Sequence, residues 1–237
     1  MTTQSNLHYV GSELELFTHA INWRSYWTSK IIKYLRGHVL EVGAGIGSNT
    51  KRLCHLSASW TALEPDPRQA KLISNWLDTS NILSTTAWVG TLSTLGEGKS
   101  YDAILYIDVL EHIKDDRQEV FTAYKHLAPG GVVIILSPAH AFLYSPFDKS
   151  IGHYRRYSKN DLLKLRPNES TIKFIGYLDS IGLLASLGNK LFLKSPMPTK
   201  SQIVFWDTMF VPISKLLDGV LRFKIGKSIL AIWQKPL

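Results

Sequence analysis

The sequence holds a single cysteine, Cys54, in 237 residues. That excludes an internal disulfide and leads us to expect a reducing compartment, most simply the cytoplasm. There is no run of about eighteen apolar residues, so no membrane span is expected. Met1–Asn6 lacks the basic-then-apolar order of an export signal, and none is expected. Repeats and low-complexity tracts are absent, which argues against a solenoid or a disordered chain. The eight histidines are scattered, with no His-x-x-x-His and partnering acid, so metal-independent chemistry is expected.

Hydrophobic residues make up 45% of the chain and aromatic residues 11%, enough for one α/β domain with a sizeable core. The net charge of +8 is unevenly spread. Residues 1–148 carry 12 Lys and Arg against 14 Asp and Glu, whereas residues 149–237 carry 15 against 5. An acidic amino-terminal part suits a cationic cofactor, and a basic carboxyl-terminal part suits an anionic substrate, an acidic carrier or a membrane surface, solubility being the plainer reading.

The most informative stretch is Val39–Thr50, Val-Leu-Glu-Val-Gly-Ala-Gly-Ile-Gly-Ser-Asn-Thr. It reads as a buried strand, a glycine turn and a helix for which Ser48 or Asn49 can act as cap. Glycines in such a turn let a ligand lie on the backbone. A dinucleotide fingerprint wants a small third residue where Ser48 stands and requires no acid at Glu41. A carboxylate there suits a ligand bearing positive charge. Ala58–Leu63 reads as a second strand ending in Glu64-Pro65-Asp66-Pro67, and Glu64 lies nineteen residues after Gly45, where a carboxylate can accept from both ribose hydroxyls. Tyr101–Ile107 is a further strand that delivers Asp108-Val109-Leu110-Glu111-His112-Ile113 to the same side.

Together these motifs resemble the class I S-adenosylmethionine-dependent methyltransferases, over residues 39–138 well and elsewhere in outline. The resemblance implies a Rossmann-like, mostly parallel seven-stranded sheet of order 3-2-1-4-5-7-6, with helices on both faces, an antiparallel last strand and a helical cap. It implies S-adenosylmethionine as cofactor, held by the backbone of Gly43, Ala44 and Gly45, with Glu41 toward its ammonium and Glu64 and Pro65 at its ribose. Gly90, Thr91 and Leu92 stand where the family holds adenine, although the Asp that many relatives have there is missing. Asp108, Val109 and His112 fall beside the methionine part. The hexad after the fourth strand resembles that of small-molecule enzymes and not the Asn-Pro-Pro-Tyr type that methylates nucleic-acid bases, so nucleic acid is an unlikely partner.

Apolar residues at helical spacing predict helices over Glu13–Ala20 and Trp23–Leu35, a lead-in from which Trp23, Arg24 and Tyr26 can reach the cofactor. Further helices are predicted at Arg68–Leu77, Asp115–Leu127 and Lys159–Leu165, the last capped by Ser158. Further strands are predicted at Asn81–Val89, Val132–Leu136, Ile172–Tyr177 and Ser228–Gln234. Residues 181–223 are apolar, interrupted by Pro196, Pro198 and Pro212, and read as two or three cap helices. Peripheral membrane contact through 203–223 fits, with Asp207 and Asp218 weighing against deep insertion. The layout is thus a lead-in (1–36), a cofactor core (37–138), a substrate loop and cap (139–227) and a last strand (228–237). Phe147-Asp148-Lys149 with Gly-His-Tyr-Arg-Arg-Tyr-Ser resembles an element of bacterial enzymes acting on metabolites. It supplies His153 as a candidate general base, with His112 competing, and Tyr154, Arg155 and Arg156 as candidate contacts to an anionic acceptor. A nucleotide- or dinucleotide-binding oxidoreductase and a degenerate binding protein are the competing readings. The sequence names neither the acceptor atom nor the oligomeric state.

Overall fold

The computed structural model describes residues 13–96, 98–188 and 198–237. Seven strands form one sheet: β1 (His38–Val42), β2 (Ser59–Glu64), β3 (Thr85–Val89), β4 (Tyr101–Ile107), β5 (Leu127–Pro138), β6 (Thr171–Leu178) and β7 (Ser228–Gln234). Their order is β3-β2-β1-β4-β5-β7-β6, parallel except for β7, which runs antiparallel to both neighbours. The expected topology is met.

Side chains alternate across the sheet, so each strand feeds two cores. Val39, Ala103, Leu105 and Ile134 pack on one face beneath the helices α2 (Ile21–Ile31), α3 (Ser48–Leu53) and α4 (Pro67–Ser80). Leu40, Ile104, Tyr106 and Val133 pack on the other beneath α5 (Asp116–Lys125) and α7 (Lys159–Leu165). Burial on both faces is why the central strands read as continuous apolar runs. Each fully buried aliphatic side chain contributes about 1.5–3 kcal/mol.

Several local expectations are revised. Helix α3 is capped by Gly47 in the left-handed region (φ 77°) with no side-chain bond, and not by Ser48 or Asn49. Helix α4 runs to Ser80 and ends on left-handed Asn81, so β3 begins only at Thr85. The lead-in breaks at Ala20, between α1 (Glu13–Phe17) and α2. The short α6 (Pro146–Ser150) follows β5, and α8 (Ser180–Gly188) follows β6. Pro212 does not end the cap helix. A π turn at Trp206–Phe210, in which the Val211 amide donates to the Trp206 carbonyl, joins α9 (Lys200–Phe205) to α10 (Val211–Val220) and absorbs the hydrogen bond proline cannot make. Pro196 lies outside the described residues.

Three buried aspartates tie this cap to the rest. Asp218 accepts from the Tyr26 hydroxyl at 2.7 Å and from the amides of Asp179 and Ser180. Asp207 accepts from the amides of Asn22 and Trp23. Asp179 accepts from Ser214 Oγ and Trp206 Nε1. Asp207 and Asp218 therefore point inward and do not oppose contact at the outer face, where Met209, Leu216 and Val220 are exposed. Among the described residues, no helix is long and apolar enough to cross a membrane.

Candidate active site

The carboxyl ends of β1, β4 and β5, the lead-in and the cap enclose a cavity of about 830 Å³. That is ample for a cofactor-sized ligand. Its floor is the glycine turn. Gly43, Gly45 and Gly47 all have positive φ, at 67°, 56° and 77°. A methyl on Gly43 would come within 2.7 Å of Val109 Cγ2, and one on Gly47 within 2.8 Å of Ile73. The Gly43 and Ala44 amides both donate to the Leu63 carbonyl. Gly43, Ala44 and Gly45 line the cavity.

Glu64 braces this turn from β2. Its carboxylate accepts from the Gly45 amide at 2.7 Å and the Asp66 amide at 2.9 Å. Burial raises its pKa, and those backbone bonds oppose the rise. Pro65 stands beside it, and the Gly90 amide donates to the Glu64 carbonyl, so the ends of β2 and β3 are joined here. Thr91 caps the turn that follows. Leu92 is fully buried in the second core, which fixes its side chain away from the cavity.

Glu41 does not face the cavity. Alternation puts its side chain on the Val39 face, where Thr50 Oγ1 (2.5 Å) and Trp60 Nε1 (3.1 Å) both donate to it. Burial first, opposed by the bonds from Thr50 and Trp60, pushes its pKa up to about 7. It is a packing carboxylate beneath α3, and the expected ammonium contact is withdrawn. Tyr26 is likewise committed to Asp218, while its neighbours Trp23 and Arg24 do line the cavity. Arg24 Nε has no partner there.

Beyond β4 the chain turns sharply. Asp108 takes φ 54°, a conformation costly for a non-glycine residue and typical of functional turns. Its carboxyl opens to the cavity and is otherwise walled by protein. Burial pushes its pKa up to about 6, against the charges of His153 and Lys227. Val109 packs over Gly43, and the turn Leu110–His112 brings Glu111 and His112 to the wall.

The opposite wall comes from the loop after β5. Asp148, fully buried, accepts from His153 Nδ1 (2.9 Å), Arg156 Nε (2.8 Å) and Nη2 (3.0 Å), and the Ser145 amide and hydroxyl. Burial would raise its pKa, but these donors outweigh that and hold the carboxyl below the usual range. His153 Nε2 lies 3.9 Å from Glu111 Oε1, and the His112 and His153 rings meet edge to face at 4.5 Å. Burial, then the charge of His153, lowers the His112 pKa to about 4, so its ring is neutral.

The expected bases thus come together, but the arginines are spoken for. Arg156 is locked on Asp148, and Arg155 pairs with Asp116 at 2.6 Å and with the Lys114 carbonyl. Tyr154 is exposed outside the cavity. Sequence reasoning missed Asp148, Glu111 and Lys227 as site residues. Asp148 and Glu111 stand inside motifs quoted for other members, whereas Lys227 carries no local signal and reaches the wall only through the start of β7.

A seven-stranded sheet with this one reversed strand and a glycine cradle at the end of β1 is the arrangement that the sequence motifs led us to expect. Residues 40–133 match the family described as methyltransferase domain. Over 96 residues the chain is 32% identical to a ubiquinone biosynthesis O-methyltransferase of Methylocella silvestris, covering 40% of this chain and 37% of that protein. Over 128 residues it is 28% identical to a demethylmenaquinone methyltransferase of Tropheryma whipplei, covering 54% and 52%. The chain thus spans about half or less of the length of these relatives. Coclaurine N-methyltransferase, solved with N-methylheliamine and SAH, superposes with TM-score 0.64 at 14% identity over 91% of this chain and 70% of that one. The [4+2]-cyclase SpnF superposes with TM-score 0.61 at 14% identity over 89% and 81%, so the fold alone does not fix the reaction.

Proposed function

We propose that the protein transfers the methyl group of S-adenosylmethionine to a small-molecule acceptor in the cavity. The observation that supports this most is the glycine turn, left-handed at Gly43 and Gly45 and with no room for a Cβ at Gly43, opening onto the same cavity as Asp108, Glu111, His112 and His153. Gly43, Ala44, Gly45 and Asp108 line the cavity, whereas Glu64, Pro65, Gly90 and Thr91 are not part of its lining. Gly43, Ala44 and Gly45 would hold its methionine part by backbone contact, with Asp108 near the ammonium, and Glu64 and the Gly90-Thr91 turn at the ribose and adenine. When bound, the cofactor supplies an electrophilic methyl on a positively charged sulfur.

The chain's own part is orientation and exclusion of water, which can supply about 7–11 kcal/mol. Trp23, Phe17 and Trp206 give the cavity an apolar wall suited to a ring-bearing or alkyl acceptor, and the named activities of the quinone-related relatives fit such a substrate. His112, neutral, and His153, held by Asp148, stand where an acceptor proton would leave. An anionic acceptor group would meet Arg24 and Lys227, in place of Arg155 and Arg156. The cap and the loop 139–227 act as its cover. Peripheral membrane contact is assigned to the outer face of α9 and α10, and the location to the cytoplasm, which the lone buried Cys54 fits.

Calorimetric titration with S-adenosylhomocysteine tests this. Binding near one equivalent is expected, weakened about 10–100-fold in Glu64→Gln, as loss of a charged hydrogen bond costs about 1.5–3 kcal/mol. No binding, with tight NAD binding instead, would return the oxidoreductase reading.

A further inference from the structure

We propose that Glu111, His112 and His153 form a binding site for a divalent transition ion of the zinc type, open on one side to the cavity. The inference deepens the functional reading of the same cleft and rests on that reading for its catalytic meaning. It replaces the sequence-based expectation of metal-independent chemistry.

One ligand atom from each of the three residues lies within 4.8 Å of the others. Glu111 and His112 are adjacent on the turn after β4, and His153 comes from a loop 41 residues on. Glu111 is fully buried, and neither carboxylate oxygen has a partner in full hydrogen-bond geometry; its own backbone, the Ser137 side chain and His153 Nε2 at 3.9 Å are the polar groups beside it. A buried carboxylate left so is costly unless something binds it. His153 is set for the task. The Asp148 carboxylate can only accept, so His153 donates to it through Nδ1 and turns Nε2, 3.9 Å from Glu111 Oε1, toward the cluster. An imidazole oriented through its other nitrogen by a carboxylate is the usual outer support of a metal ligand. His112 Nδ1 is turned toward Gly152, whose backbone accepts a hydrogen bond from that ring.

Two imidazoles and one carboxylate suit zinc or a similar borderline ion, whereas magnesium prefers oxygen ligands alone. Ligands about 2.0–2.2 Å from such an ion lie roughly 3.4 Å apart, so side-chain shifts of about 1 Å close the site. All three residues line the cavity, which leaves a further position facing the acceptor. An ion there favours the anion of a hydroxyl that reaches it, the proton passing to solvent. His112 and His153 then serve as ligands and not as free bases.

The test is titration of the chelator-treated full chain with Zn²⁺ by calorimetry and with Co²⁺ by visible ligand-field absorption. One equivalent is expected. Affinity should fall at least 100-fold in Glu111→Gln and His153→Ala, and about 10–100-fold in Asp148→Asn. Glu111→Gln is isosteric, so it decides the question should His153→Ala fail to fold, with melting curves as the check. No stoichiometric uptake, or uptake unaltered in Glu111→Gln, overturns the proposal. A parallel titration with S-adenosylhomocysteine separates the two readings. Homocysteine-product binding without metal uptake removes the ion site alone, whereas metal uptake without product binding upholds the site and removes the transfer reading.

Discussion

Replacing Asp148 by asparagine should be among the most damaging single changes to the loop that carries His153. The carboxylate is fully buried and accepts from His153, from two nitrogens of Arg156 and from the amide and hydroxyl of Ser145. An asparagine keeps one acceptor and turns an NH₂ toward donors, and it leaves the mostly buried Arg156 guanidinium without its counter-charge. Breaking a buried pair from one side costs about 3–5 kcal/mol. In a chain of this size each kcal/mol moves Tm by about 2–4 °C, so a fall of roughly 6–20 °C is expected at neutral pH. The Asp148 carboxyl is held below its ordinary pKa of 3.8, so the unfolded chain takes up that proton first as pH falls. The wild-type advantage is therefore complete above the ordinary carboxylate range and shrinks as pH drops from about 5 toward 3. Melting curves of both proteins across that range, followed by circular dichroism, read it directly. A Tm gap below about 2 °C at pH 7, or a gap that does not narrow on acidification, would refute the hub role.

Two further substitutions probe the cradle and the carboxylate beneath it. Gly43→Ala must take φ 67° with a methyl 2.7 Å from Val109 Cγ2, so titration should show cofactor-product affinity reduced at least tenfold, partly restored by adding Val109→Ala. Glu41 has a folded pKa of about 7 against an ordinary 4.5, so the folded state holds its proton longer and stability falls as pH rises through that interval. Glu41→Gln should therefore flatten the slope, gain up to about 3 kcal/mol at pH 8 by denaturant unfolding, and leave product affinity unchanged. A Glu41→Gln protein that loses affinity would restore the ammonium contact.

The sheet was legible because its central strands are covered on both faces and must be apolar throughout. The cradle was legible for a related reason: Gly43 and Gly47 adopt φ values, with neighbours within 2.8 Å, that only glycine accepts. Direction was less legible. Glu41 stands at a motif position, but the two-residue alternation that buries Val39 carries its carboxylate to Thr50 and Trp60 as well. Tyr26 and Asp218 meet across 192 positions, and His112 and His153 meet only because the loop after β5 folds back over the turn after β4. No local pattern encodes such meetings. Pro212 was a fair helix-stop signal that the π turn cancels, and the arginine pair Arg155-Arg156 gave no hint that Asp116 and Asp148 would claim it.

The measurement that bears most directly on the assignment is a crystal structure of the chain with S-adenosylhomocysteine. The product's methionine part should lie on the Gly43–Gly45 backbone beside Asp108, its sulfur toward His112 and His153, with the Glu64 carboxylate at the ribose. A product bound elsewhere, or a cradle that admits only a dinucleotide, would contradict the assignment of this cleft to methyl transfer.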